Sequence, residues 1–207
     1  LLSRGLGEVY RGQDILAFRT TELETGTYLV ISEGRAFVVD PGADADKLTA
    51  AAAERGAKIE TVLLTHAHYD HIGAAAELQR GGALIVLHKD DVPLVSSFKN
   101  LAFYAHKTVD GFVPDVTVSG GETLDVAGVK VRVIHTPGHT AGGVCYVAGH
   151  VILSGDTLFE LSYGRTDFPT GSYAALKNSI LNKLFALPGD STAYPGLGPP
   201  TPTDFDS

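Results

Sequence analysis

The 207 residues carry 16 Lys plus Arg against 24 Asp plus Glu, a formal net charge of −8, and 44% of them are hydrophobic. That acidity repels a polyanion, so nucleic acid is not an expected partner, and no run approaches the ~18 consecutive apolar residues of a membrane-spanning helix. LLSRGLGEVY at the start lacks the apolar stretch of a secretory leader, and the expectation is one domain over residues 1–207, cytoplasmic and bound to no membrane.

Short apolar, β-branched runs recur along the chain and each reads as a strand: YLVIS (28–32), AFVVD (36–40), TVLLT (61–65), ALIVL (83–87), KVRVIH (130–135), VCYVA (144–148) and VILS (151–154). Between them the patterning predicts helices over 44–55, with Asp44 as its cap, over 71–80, and over 172–184, with Ser172 as its cap. Residues 96–115, with Phe98, Phe103, Tyr104 and Phe112, read as a loop-rich insertion. LDVAGVKVRV and YVAGHVILS place Ala-Gly and Gly-His between strand-like runs, which is hairpin chemistry; mixed sheets are expected instead of an all-parallel one. Cys145 is the sole cysteine, so neither a disulfide nor a thiolate cluster is available, and GGVCYVA makes it a buried, inert thiol. The Pro- and Gly-rich tail PGLGPPTPTDFDS cannot continue a helix.

The chemistry concentrates in THAHYDHIGAAAEL, where three histidines and an aspartate fall within six positions as a strand ends and a helix begins. His66 and His68, two apart in extended chain, share a face and can grip one ion; Asp70 and His71 enter the turn and can point to a neighbouring one. A solvated polar turn would leave the three histidines as coincidence. IHTPGHTAGG then offers His139, and ILSGDTLF offers Asp156, each just after a strand. Imidazoles and carboxylates suit zinc, iron or manganese.

HAHYDH, TPGHT, SGDTLF and GRTDFPTG, in that order, resemble the metallo-β-lactamase superfamily, and within it the glyoxalase II-like hydrolases. The resemblance implies an α/β fold, a four-layer αββα sandwich with two mixed sheets. It implies that His66, His68 and His139 hold a first metal, that Asp70 and His71 hold a second and serve catalysis, and that Asp156 bridges them, with a water between the ions as nucleophile. One or two zinc ions, or iron or manganese, and a small-molecule acyl thioester such as S-lactoylglutathione are the implied cofactor and substrate. Asp40, in VVDPGAD, matches a carboxylate that orients a ligand imidazole, though a turn-forming Asp explains it equally from sequence. Arg165 and Tyr163 are candidate substrate contacts; against that, Arg165 can pair with Asp167 to hold its loop, and aromatics such as Phe103, Tyr104 and Tyr163 can pack locally.

One departure stands out. Close relatives carry a final metal-binding histidine in Pro-Gly-His-Gly, and here YPGLGPP places Leu197 there, which removes a ligand from the second site. The chain is then a laboratory variant, a natural protein with a weakened second site, or one that works with one metal. His88, His106 and His150 read as surface histidines and not as replacements, and His135 as a packing residue. Three functions compete: thioester hydrolysis; a mono-iron persulfide dioxygenase using His66, His139 and Asp156; and a silent binding module. Lactone or other ester and amide substrates suit the same site. The sequence sets no oligomeric state.

Overall fold

The computed structural model describes residues 4–8 and 12–203. Seven strands form the first sheet in chain order: β1 (Arg4–Glu8), β2 (Gln13–Thr20), β3 (Thr25–Ser32), β4 (Arg35–Val39), β5 (Lys58–Leu63), β6 (Leu84–His88) and β7 (Val116–Val118). The β1–β4 pairings are antiparallel and those from β4 to β7 parallel. The parallel half needs crossovers: α1 (Ala45–Ala53) joins β4 to β5, α2 (Tyr69–Ile72) and α3 (Ala75–Arg80) join β5 to β6, and residues 89–115, with short 3-10 turns, join β6 to β7. The second sheet begins with β8 (Thr123–Val126), β9 (Val129–His135), β10 (Val144–Ala148) and β11 (Val151–Gly155). The chain then makes a small hairpin, β12 (Leu158–Phe159) and β13 (Ser162–Tyr163), passes through α4 (Tyr173–Ser179), and returns as β14 (Thr192–Pro195) and β15 (Thr201–Pro202). This second sheet runs β15-β14-β11-β10-β9-β8, antiparallel except where β14 lies parallel to β11.

Burial resolves the layers. Strand side chains alternate between faces, so β3 sends Leu29 and Ile31 to one core and Tyr28 and Val30 to another, and all eight of its residues are buried. The first core joins that sheet to Leu48 of α1 and Leu78 of α3. The second lies between the sheets, where Val30, Phe37 and Leu63 meet Val131, Tyr146 and Leu153. The third joins Cys145 and Ile152 to Leu176 of α4 and to Ile180 and Leu184. Helix, sheet, sheet, helix is the αββα sandwich. Both expected hairpins are present: Ala127 (φ 52°) and Gly128 (φ 79°) take the left-handed backbone that a two-residue turn requires, and Gly149 (φ 58°) turns β10 into β11.

Several local expectations differ. The helix expected over 71–80 starts at Tyr69 and breaks between Ile72 and Ala75, where a Cβ on Gly73 would lie 2.1 Å from the Gly42 carbonyl oxygen. Asp44 does not cap α1 with its side chain; its backbone is left-handed (φ 65°) and its carboxylate pairs with Lys47 at 2.9 Å. Ser172 does cap, its Oγ accepting from Ala175 N–H at 3.3 Å, but the α-helix ends at Ser179 and continues as one π-helical turn, Ile180–Leu184. The TVLLT strand stops at Leu63: Leu64 still packs in the first core with its N–H on the Val86 carbonyl, but Thr65 N–H turns to the Asp40 carboxylate. In the 96–115 segment Phe112 packs on the first core, whereas Phe103 and Tyr104 are exposed. Residues 204–207 of the tail lie outside the described residues. Among the described residues no helix is long and apolar enough to cross a membrane.

Candidate metal centre

Asp40 follows β4, His66 and His68 follow β5, His139 follows β9 and Asp156 follows β11, so both sheets deliver polar side chains to one edge of the sandwich. His66, His68 and His139 form a near-equilateral triangle with ring centroids 4.7, 4.7 and 4.8 Å apart, and one nitrogen of each lies within 4.8 Å of the others. His71 Nε2 stands 3.3 Å from Asp70 Oδ2 and 3.4 Å from Asp156 Oδ1, while Asp156 Oδ2 stands 3.4 Å from His139 Nε2. Asp156 therefore spans the two groups with one oxygen toward each.

Asp40 sets the tautomers. Its carboxylate accepts from Thr65 N–H (2.8 Å), Thr65 Oγ1–H (2.6 Å) and His71 Nδ1–H (2.9 Å). Because Thr65 gives its one hydroxyl proton to Asp40, the 3.0 Å contact with His66 assigns the proton to His66 Nδ1. In their neutral forms His66 and His71 thus both have Nε2 as the lone-pair atom. His139 is fixed likewise, its Nδ1–H donating to the Arg165 carbonyl at 2.7 Å. Asp40 also lies close enough to His66 and His71 to be a ligand itself, but its oxygens are already occupied by three donors. It is an orienting carboxylate.

Burial and charge divide the centre in two. Burial first, then the neighbouring imidazoles, push His66 well below its ordinary value and His68 to about 3, so both are neutral, the form that ligates a metal. Burial pulls His71 the same way, but Asp70, Asp156 and Asp40 overcome it and raise the imidazole. Burial likewise opposes ionisation of Asp70 and Asp156, and His71 wins at both, so both carboxyls stay below the usual range. His66 Nε2, His68 Nε2 and Asp156 Oδ1 are buried with no hydrogen-bond partner among the described residues. A buried polar atom left so typically costs about 1–3 kcal/mol. Three such atoms in one cluster of acceptors fit a cation.

Over this edge lies a cavity of about 590 Å³, lined by His68, Asp70, His139 and Asp156 and by Tyr163, Arg165 and Leu197. Arg165 pairs with Asp167 through two bonds of 2.9 and 2.6 Å, and its guanidinium lies 4.3 Å from the centre of the Phe168 ring. Tyr163 is half exposed and Leu197 is 41% exposed. His106 and His150 are exposed, His150 beside Asp190. His88 is not a surface residue: it is 1% exposed and stacks on His135 at 4.2 Å. Its Nε2–H donates to the Ser119 carbonyl and its Nδ1 accepts from Asp90 N–H, so both nitrogens are used in packing.

Sequence reasoning missed Asp91. Fully buried, it accepts from Ala67 N–H (3.1 Å), between His66 and His68, and from Thr140 Oγ1–H (2.8 Å) and Gly142 N–H (2.7 Å), beside His139. One carboxylate ties the two histidine loops together. The only signal was a second acid in KDDV after a strand, which reads as a solvated turn.

A family model described as the metallo-beta-lactamase superfamily matches residues 21–196. Hydroxyacylglutathione hydrolase GloC of Haemophilus influenzae is 34% identical over 172 residues, 80% of this chain and 81% of that protein. Among solved structures, the B3 metallo-beta-lactamase BLEG-1 superposes with a TM-score of 0.86 at 29% identity, over 91% of this chain and 94% of that one. TTHA1623, solved in a di-iron-bound form, gives 0.83 at 32% identity, over 92% and 96%. With a match running from before Asp40 to beyond Asp156, over the layers and the edge just described, the chain belongs to the metallo-β-lactamase superfamily.

Proposed function

We propose that the protein is a metal-dependent hydrolase of a small acyl thioester of the S-lactoylglutathione type. The observation that carries this reading is the pair of ligand groups, three imidazoles on one side and Asp70 with His71 on the other, meeting at Asp156 beneath an open cavity. Likeness to a hydroxyacylglutathione hydrolase supports the substrate class.

In this reading His66, His68 and His139 hold a first ion, Asp70 and His71 contribute to a second, and Asp156 serves both; zinc, iron and manganese all suit such donors. When bound, such ions lower the pKa of a water ligand to about 7 and polarise a carbonyl, so no serine or cysteine nucleophile is needed. The chain's own residues set the stage. Asp40 holds the His71 ring directly and the His66 ring through Thr65, and the Arg165 carbonyl holds His139, whose Nε2 accepts from His68 Nδ1–H at 2.9 Å, so each ring is fixed with Nε2 toward the centre. Leu197 adds no ligand, which leaves the second position short of a donor.

The test is thiol release from a panel of acyl thioesters by protein loaded in turn with zinc, iron and manganese. Hydrolysis of at least one is expected; failure on all three metals overturns the reading, and oxygen uptake with glutathione persulfide by an iron-loaded sample would replace it with the dioxygenase.

A further inference from the structure

The cavity over the metal centre has an apolar character that the thioester reading does not require. Leu23, Leu101, Tyr104, Phe159, Phe168 and Leu197 all line it. Leu23, Tyr104 and Leu197 are 48%, 63% and 41% exposed, so large apolar side chains stand in solvent around the mouth, where a bound group would cover them. Among the described lining residues Arg165 is the sole cation, and both arms of its fork are bonded to Asp167 while its face lies on Phe168. The other charges lining the cavity are Asp70 and Asp156. Away from the metal centre itself, a substrate bearing carboxylates therefore meets no uncompensated positive charge on the cavity wall, and the whole chain carries −8. Phe159 and Tyr163 are shared with a second groove of about 340 Å³ that continues past Leu161, which is 97% exposed, toward Tyr173 and Leu181. Apart from Ser162 and Lys177 that groove is lined by apolar and aromatic side chains, so the apolar surface runs on beyond the cavity, and a chain several carbons long can follow it.

We infer that the preferred thioester lays an alkyl or aryl group in this vestibule, and that the carboxylates of a glutathione-like thiol are not what the protein recognises. The inference rests on the thioesterase reading. An acyl chain and an alkyl thiol both supply the same chemistry, so the experiment has two arms.

With metal-loaded protein, one arm lengthens the acyl group from acetyl to octanoyl on the neutral thiol N-acetylcysteamine. The other keeps acetyl and lengthens an alkanethiol from ethyl to hexyl. In one arm kcat/KM should climb with each methylene, by up to about fourfold if the methylene is fully buried, and should exceed that for S-lactoylglutathione. The arm that climbs identifies which side of the thioester bond lies in the vestibule. Leu23→Ser combined with Tyr104→Ser should lower kcat/KM about tenfold for the longest substrate of that arm and leave the acetyl or ethyl member within about twofold. A direct readout is calorimetric binding of S-hexyl-N-acetylcysteamine, a thioether that cannot be hydrolysed, against its S-methyl counterpart. Flat or falling rates in both arms, or equal binding of the two thioethers, overturns the inference while leaving the thioesterase reading intact. If no thioester is hydrolysed, that reading falls, and the thioether comparison alone decides whether the vestibule takes an apolar group.

Discussion

At position 197 a branched apolar side chain lines the same cavity as His68, His139 and Asp156, on a segment whose backbone has little freedom. Gly26 N–H donates to the Gly196 carbonyl at 2.8 Å, Gly196 N–H to Gly155 at 2.8 Å, and the Tyr28 hydroxyl to Pro195 at 2.7 Å. The side chain at 197 is thus presented by a fixed backbone, and Leu197→His should bring an imidazole to the cavity without rearranging the strand. We expect metal per chain, measured by elemental mass spectrometry, to rise from about one to about two. Affinity for the second ion should rise by at least the ~10–100-fold that lesser, orienting contacts are worth. An unchanged stoichiometry would mean that position 197 does not face the second ion. Its neighbour gives the opposite result: a Cβ on Gly196 would fall 2.1 Å from Asp156 Oδ1 and 2.8 Å from His71 Cε1. Gly196→Ala must therefore displace the carboxylate that spans both groups, and metal content should drop in the same assay even where the protein still melts cooperatively.

Two loops, one after β5 and one after β9, must reach the edge of the sandwich in register, and Asp91, in the 3-10 turn that follows β6, spans both. Asp91→Asn keeps the shape but gives an amide NH2 to a site that offers only donors: Ala67 N–H, Thr140 O–H and Gly142 N–H. The mismatch should cost about 1–3 kcal/mol, seen as a Tm roughly 2–10 °C lower. If the clamp also positions His66, His68 and His139, affinity for the first ion should fall about tenfold or more in a chelator competition. A lower Tm with unchanged metal affinity would reduce Asp91 to a structural role. The contrast between Asp91 and its surroundings shows what the sequence makes legible. His66, His68, Asp70 and His71 announce themselves because four donor side chains crowd into six positions; Asp40 was half legible, since only the family resemblance marked it and a turn-forming Asp explained it equally. Asp91 is invisible because its partners are backbone N–H groups and a threonine 49 residues away. Gly73 hid the helix break for the same reason: its close neighbour is the Gly42 carbonyl, a tertiary contact that no periodicity encodes.

Across the molecule, the strand runs were readable because each sheet is covered on both faces and its strands are correspondingly apolar. How the sheets are fastened to each other was not: alongside backbone bonds such as Gly26 N–H to Gly196 and Val144 N–H to the Thr65 carbonyl at 2.9 Å, it uses two tyrosines that sequence presents as ordinary core residues. Tyr28, on β3, donates its hydroxyl across to Pro195 of β14 at 2.7 Å; Tyr146, on β10, donates back to the Leu64 carbonyl beyond β5 at 2.8 Å. Each sheet thus sends one phenol to the other. Burial raises the pKa of both phenols above the usual value and pushes Cys145, in the third core, up to about 11 from 9.0. Below about pH 9 these groups are protonated in the folded and unfolded chains alike and add no slope. Above it the unfolded chain releases protons that the folded chain retains, so the unfolded state binds fewer and stability falls as pH rises. Each group contributes about 1.4 kcal/mol per pH unit between its unfolded and folded values. Chemical denaturation of one metal-loaded sample at pH 8, 9, 10 and 11 should show a loss that steepens above pH 10, where the phenols join the thiol. Tyr146→Phe should lower stability at pH 8 by about 1–3 kcal/mol, because the Leu64 carbonyl loses its donor, and should flatten the decline above pH 10. A decline as steep in Tyr146→Phe and Tyr28→Phe as in the parent would place the alkaline lability elsewhere, and unchanged stability at pH 8 would remove these two hydroxyls as ties between the sheets.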